Sequence, residues 1–199
     1  MALAICLGVW TGVTAPAFAA PSDVAQIRAI EDRLAAAVSA RNIDAIMQAY
    51  VPDETLFVFD VVPPRQYVGA KAFRKDWEEF LGGTKGPLKY EISDIDVTAV
   101  GSVAYGHSIQ RIVTTDTQGS PIDLTTRVTD VYRRQKGRWV IVQEHISIPV
   151  DLDTAKPDFA SQPRVPMVSL ERARELGEAM GLPARRTQSE AFRVVANNP

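Results

Sequence analysis

Apolar residues along this chain keep two different rhythms, and the change between them divides the sequence. Val24, Ile27, Ile30, Leu34 and Val38 recur at helical spacing, which places them on one stripe of an α-helix. Asp23 with Gln26 offers a weak capping pair at its start. Asn42 caps a short second helix through Ile43, Ile46, Met47 and Tyr50, stopped at Pro52. Residues 55–60 form a β-rich run that Pro63 and Pro64 break. A third helix follows Gly69, with Phe73, Trp77, Phe80 and Leu81 on one stripe and Gly82-Gly83 at its end.

Beyond residue 88 the period becomes alternating. Residues 88–100, 102–115, 122–134 and 138–150 read as four successive strands joined by short connectors. Links that short demand an antiparallel meander. Helices followed by a long meander predict an α+β fold, with the helices laid on one face of a strongly curved antiparallel sheet. Residues 151–168 are rich in Pro and Asp, have no period, and are expected to wrap the surface. Ser169 then caps a helix at about residues 169–181, through Leu170, Ala173, Leu176 and Met180, closed by Gly181 and Pro183.

The first 20 residues carry no charged side chain and end in Ala17-Phe18-Ala19, a small-residue cleavage pattern. They read as a signal peptide over residues 1–20, too short for a stable membrane anchor, so a secreted or periplasmic protein is expected. No Lys or Arg precedes the apolar run, so the start of translation is expected to lie upstream as readily as at Met1. The organisation is then 1–20 signal peptide, 21–150 α+β domain, 151–199 C-terminal extension. The only cysteine, Cys6, falls in the signal segment, which removes thiolate catalysis, disulfides and cysteine zinc sites from the mature chain. A net charge of −2 with no basic block argues against a nucleic-acid surface, and nothing points to a membrane once the signal is removed. No metal-ligating constellation, phosphate loop or nucleophile elbow occurs. No metal or cofactor is therefore expected.

Candidate chemistry lies on the last two strands. A three-residue loop at Gln135-Lys136-Gly137 would set Arg134 opposite Arg138. One face would then show Val128, Asp130, Tyr132, Val140, Val142, Glu144, Ile146 and Ile148. The other would show Arg127, Thr129, Val131, Arg133, Trp139, Ile141, Gln143, His145 and Ser147. On the first face Asp130 and Glu144 would be diagonal neighbours about 7 Å apart. Two carboxylates on an aliphatic face push each other's proton affinities apart, which makes acid/base pairs. A structural role for each, capping a buried backbone group or facing water at the rim, is the alternative. His107 joins Asp130 if the turn at 116–121 has an even loop, and takes the other face if the loop has three residues. The mixed second face suits a protein interface, with Arg127 and His145 as secondary ligand contacts should it hold a pocket instead.

Arg41-Asn42-Ile43-Asp44-Ala45-Ile46, the aromatic helix after Gly69, Arg127-x-Thr129-x-Val131-Tyr132, Gly137-Arg138-Trp139-Val140-Ile141 and Glu144-His145-Ile146-Ser147-x-Pro149 together resemble the SnoaL-like branch of the nuclear transport factor 2-like superfamily. The resemblance implies a cone-shaped fold that hosts isomerases, cyclases, dehydratases and non-enzymatic association domains. Set beside ketosteroid isomerases, it places their oxyanion Asp on Asp130. Their Tyr falls on Leu34 and their base on Val58, with Asp60 two residues later. Set beside kinase association domains, it places pocket positions on His107, Asp130 and Ile146. It also implies a homodimer through the outer sheet face. Two functions are expected to compete. One is a cofactor-free isomerase, lyase or cyclase with His107, Asp130, Glu144 and Asp60 transferring protons, and Tyr50, Trp77, Tyr132 and Ile146 around a small apolar or carbonyl-containing ligand. The other is a non-enzymatic ligand-binding or association module.

Overall fold

A computed structural model describes residues 22–160; the signal peptide expected at 1–20 and the helix expected at 169–181 lie outside the described residues. Helix α1 (Asp23–Ser39) starts one residue earlier than the capping pair suggested. Ser22 is the N-cap, and its hydroxyl accepts from the Ala25 amide at 3.2 Å. Its buried stripe keeps Ile27, Ile30, Leu34 and Val38 of those expected, leaves Val24 half-buried, and adds Ala37 and Glu31. Asn42 caps the short helix α2 (Ile43–Met47) by accepting from the Ala45 amide at 3.0 Å. After strands β1 (Phe57–Phe59) and β2 (Tyr67–Val68) comes helix α3 (Ala70–Gly82), which buries Phe73 and Trp77.

Four long strands follow: β3 (Thr84–Val100), β4 (Val103–Asp116), β5 (Pro121–Gln135) and β6 (Arg138–Ser147). They form the expected antiparallel meander, and β1 adds in parallel beside β6 to give the order β2-β1-β6-β5-β4-β3. The short strand β2 has no clear signal in the sequence, because only two residues pair. Register shifts in β3, between Lys85 and Lys89 and between Ser93 and Asp96, bend this long strand. Helix α1 lies over β3, tied to it by Arg28 donating to the Ile95 carbonyl and by the Tyr90 amide donating to Ser39 Oγ. The core is Ile27, Leu34, Val38 and Ile46 from the helices, with Tyr50, Leu56 and Val58, against Tyr132, Trp139 and Ile141 from the sheet.

Two connections differ from the register expected. The β5–β6 loop holds two residues, not three: Gln135 pairs with Arg138, while Lys136 and Gly137 both take positive φ, 49° and 79°, as a type I′ turn requires. A bulge then intervenes, since Val131 pairs with Gln143 but Tyr132 pairs with Ile141. Below the bulge Asp130 stands directly opposite Glu144, not diagonal to it. Above it, Trp139 and Ile141 share the face of Tyr132 and are buried. The outer-face position expected for Trp139 is therefore corrected: its indole packs in the core, with Nε1 donating to Asp23 Oδ1 at 3.3 Å.

The chain divides into two units, up to Ser147 and from Ile148 onward. In the second, the period-free stretch expected after residue 151 instead opens with a small hairpin. There β7 (Val150–Asp151) pairs with β8 (Lys156–Pro157), and Asp151 Oδ1 accepts from the Asp153 and Thr154 amides.

Candidate functional site

Alternation along β5 turns Val128, Asp130 and Tyr132 to the helix-covered side of the sheet, and all three are buried. From β6 the directly opposed Glu144 joins them, 2% exposed, like Asp130. A third carboxylate, Glu31 of α1, is equally buried. It sits in the helix's own core stripe, between Ile27 and Leu34, which turns it toward the sheet.

Two phenols serve these acids. Tyr50 donates its hydroxyl to Glu144 Oε2 at 3.1 Å. Tyr132 donates to Glu31 Oε1 at 2.8 Å, and the same phenol oxygen lies 3.4 Å from Asp130 Oδ2. One hydroxyl proton serves only one of the two carboxylates, so the second contact needs a proton on Asp130 to become a hydrogen bond. The remaining oxygens, Glu31 Oε2 and Asp130 Oδ1, are buried without a partner, and so is Trp77 Nε1. Tyr90 donates to Gln110 Oε1, and Gln110 passes the chain on to Ser108 Oγ at 3.3 Å. Phe73 stands edge-on to Tyr50 at 5.1 Å and to Trp77 at 6.2 Å, forming an aromatic wall.

Burial dominates the electrostatics. It pushes Glu144 up to about 8, with the Glu31 and Asp60 charges adding and the Tyr50 hydrogen bond opposing. It pushes Glu31 up to about 7 against the Tyr132 hydrogen bond. Asp130 is raised well above the ordinary carboxyl range by burial, then by Glu144 and Glu31. Tyr50, Tyr90 and Tyr132 are all raised by the same desolvation, and stay protonated donors.

The other residues singled out from sequence lie elsewhere. The β4–β5 turn closes through the Asp116 amide on the Ser120 carbonyl, a three-residue loop at Thr117–Gly119. His107 consequently pairs with Thr129 on the exposed side and does not join Asp130. Arg127 and His145 are exposed on that same outer side, His145 with its ring against Phe59. Ile146 is half-buried. Asp60 is half-buried beyond the end of β1 and pushed up to about 7 by burial and by neighbouring Asp76, whose Oδ1 accepts from Tyr67 at 2.6 Å. Sequence reasoning missed Glu31, Tyr90, Gln110 and the Asp76–Tyr67 pair. Only Glu31 had a signal, a charge set within an apolar helical stripe. Two open recesses, about 620 Å³ between α1, α2 and the β5–β6 turn and about 550 Å³ on the surface of α3, are lined by none of the three buried carboxylates. The convergence of titratable groups, rather than recess size, marks the candidate site.

A curled, mostly antiparallel sheet covered by helices is the α+β architecture this chain shares with nuclear transport factor 2-like proteins. The chain belongs to the SnoaL-like domain family, whose profile matches residues 27–151. Its structure resembles an NTF2-like protein of unknown function from Pseudomonas putida at 32% identity and a TM-score of 0.63, covering 71% of this chain and 99% of that one. It also resembles a putative calcium/calmodulin-dependent protein kinase II association domain from Xanthomonas campestris (22% identity, 75% and 95% covered, TM-score 0.55). A third likeness is to a putative scytalone dehydratase from Novosphingobium aromaticivorans (15% identity, 71% and 89% covered, TM-score 0.57). The last two share the fold alone. No curated protein matches the chain.

Proposed function

We propose that this chain is a small-molecule pocket protein of the cofactor-free isomerase, lyase or cyclase kind, with proton transfer carried by Asp130 and Glu144. One observation supports it above the rest: two carboxyl groups stand opposite each other across a strand pair in a water-poor interior, with a third bridged to Asp130 by Tyr132. Two such groups do not ionise together readily, so near neutral pH one serves as acid while the other serves as base. Glu144, held by Tyr50, keeps a proton it can donate to a carbonyl oxygen as charge develops there. Asp60 and Asp76 are a half-buried carboxyl pair that can act as a further base. His107, Arg127 and His145 face outward and take no part in this chemistry.

The assembly reading is a homodimer through the outer face, where Val103 and Tyr105 are exposed beside half-buried Val131. The export reading is a mature protein beginning at Ala20 or Pro21, which mass spectrometry of protein from its native host would check. For the chemistry, small cyclic ketones are incubated with the full chain in D2O and hydrogen exchange beside the carbonyl is followed by NMR. Exchange above buffer that Glu144→Gln abolishes supports an enzyme. Binding of the ketones without exchange supports the non-enzymatic ligand-binding module.

A further inference from the structure

The buried charge of the described residues is entirely of one sign. Glu31, Asp130 and Glu144 are buried, and no Lys, Arg or His is. Their hydrogen-bond supply is short in the same direction. Tyr50 serves Glu144 and Tyr132 serves Glu31, while Tyr90 is spent on Gln110. Glu31 Oε2 and Asp130 Oδ1 are left as buried acceptors without a donor. They belong to the two carboxyls that share the Tyr132 hydroxyl through their other oxygens.

We propose that the interior takes a ligand bearing a protonated amine, with the ammonium held by Glu31 Oε2 and Asp130 Oδ1. The inference rests on the interior being the ligand site and names the class of ligand that fits it. An ammonium brings what the protein lacks there, several N–H donors and a positive charge. An anion would meet three carboxyl groups and no cation, and a neutral alcohol supplies one donor and no charge. Tyr50, Phe73 and Trp77 form the matching wall for an apolar body. No covalent step is involved: binding exchanges a proton on the Glu31–Asp130 pair for the ligand's charge, and that proton passes to the buffer.

The test uses the full chain at pH 7 with three probes of one shape: 2-phenylethylamine, 2-phenylethanol and 3-phenylpropionate. Calorimetry in two buffers of different ionisation enthalpy reads affinity and proton release together. The amine is expected to bind roughly tenfold or more tighter than the alcohol, with proton release. That advantage should disappear in Glu31→Gln and in Asp130→Asn, each checked for folding by its melt. If the alcohol or the carboxylate binds as well as the amine, the ammonium assignment is wrong and the pocket reading stands. If none of the three binds while the cyclic ketones do, the ammonium assignment is wrong and the pocket reading stands; if the ketones fail as well, the pocket reading falls too.

Discussion

Tyr132 has one proton to offer and two carboxyl groups within reach, Glu31 at 2.8 Å and Asp130 at 3.4 Å. That imbalance sets the behaviour of single residues in the interior. The Asp130 carboxyl meets only the Tyr132 hydroxyl, through Oδ2, and its Oδ1 has no partner at all. Asp130→Asn should therefore leave the melting temperature at pH 7 unchanged or raised, because an amide stays neutral where a carboxylate resists burial. A structural acceptor would instead lose roughly 1–3 kcal/mol, and a lowered melt would assign Asp130 that role. The pH dependence has a definite sign. Glu144 and Glu31 are raised from 4.5 to about 8 and about 7, so the folded state binds more protons than the unfolded one above the ordinary carboxyl range. Stability should be highest near pH 5 and fall as pH rises toward 8, and Glu144→Gln should flatten that slope in a series of melts.

At the level of elements, a two-residue turn and one bulge decide what the last hairpin presents. Alternation in the sequence made Asp130 and Glu144 legible as a pair, since both interrupt an apolar face in β5 and β6. Their direct opposition was not legible, because it depends on a bulge that no residue type announces. The same bulge moves Trp139 from the outer face into the core. Trp139→Asp should destabilise the fold itself, by roughly 3–5 kcal/mol or more in a denaturant titration, and a variant that melts normally would contradict that placement. In β4, Gly106 pairs with Asp130, and a Cβ there would stand 2.9 Å from the Asp96 carbonyl oxygen and 3.5 Å from the Tyr132 ring. Gly106→Ala should cost about 1–3 kcal/mol by pressing β3 away from β4, read as a lowered melting midpoint.

For the whole molecule, the change from helical to alternating period was enough to reach a helix-covered meander. Motif runs such as Gly137-Arg138-Trp139-Val140-Ile141 were enough to reach the family. The interior site was legible only in part, because a three-dimensional cluster draws one residue each from distant elements. Glu31 and Asp130 meet across about a hundred residues through a phenol on a third position. His107 was ambiguous for a different reason, since its face is fixed by the length of a loop that Gly119 permits either way. Assembly belongs at this scale too. Tyr105→Asp on the outer face should convert a dimer to a monomer in light scattering at micromolar concentration while leaving the melt nearly unchanged. A wild-type chain that is already monomeric would remove the homodimer.

The central claim is an interior that holds protons on its carboxyl groups at neutral pH. Carboxyl-carbon NMR of the full chain labelled at Asp and Glu measures this directly, with Glu31→Gln, Asp130→Asn and Glu144→Gln assigning the signals. At least two of the three buried groups should titrate above about pH 6, far from the ordinary carboxyl range near 4. If all three titrate below about pH 5, the interior is an ordinary ionised cluster and the acid–base reading is wrong.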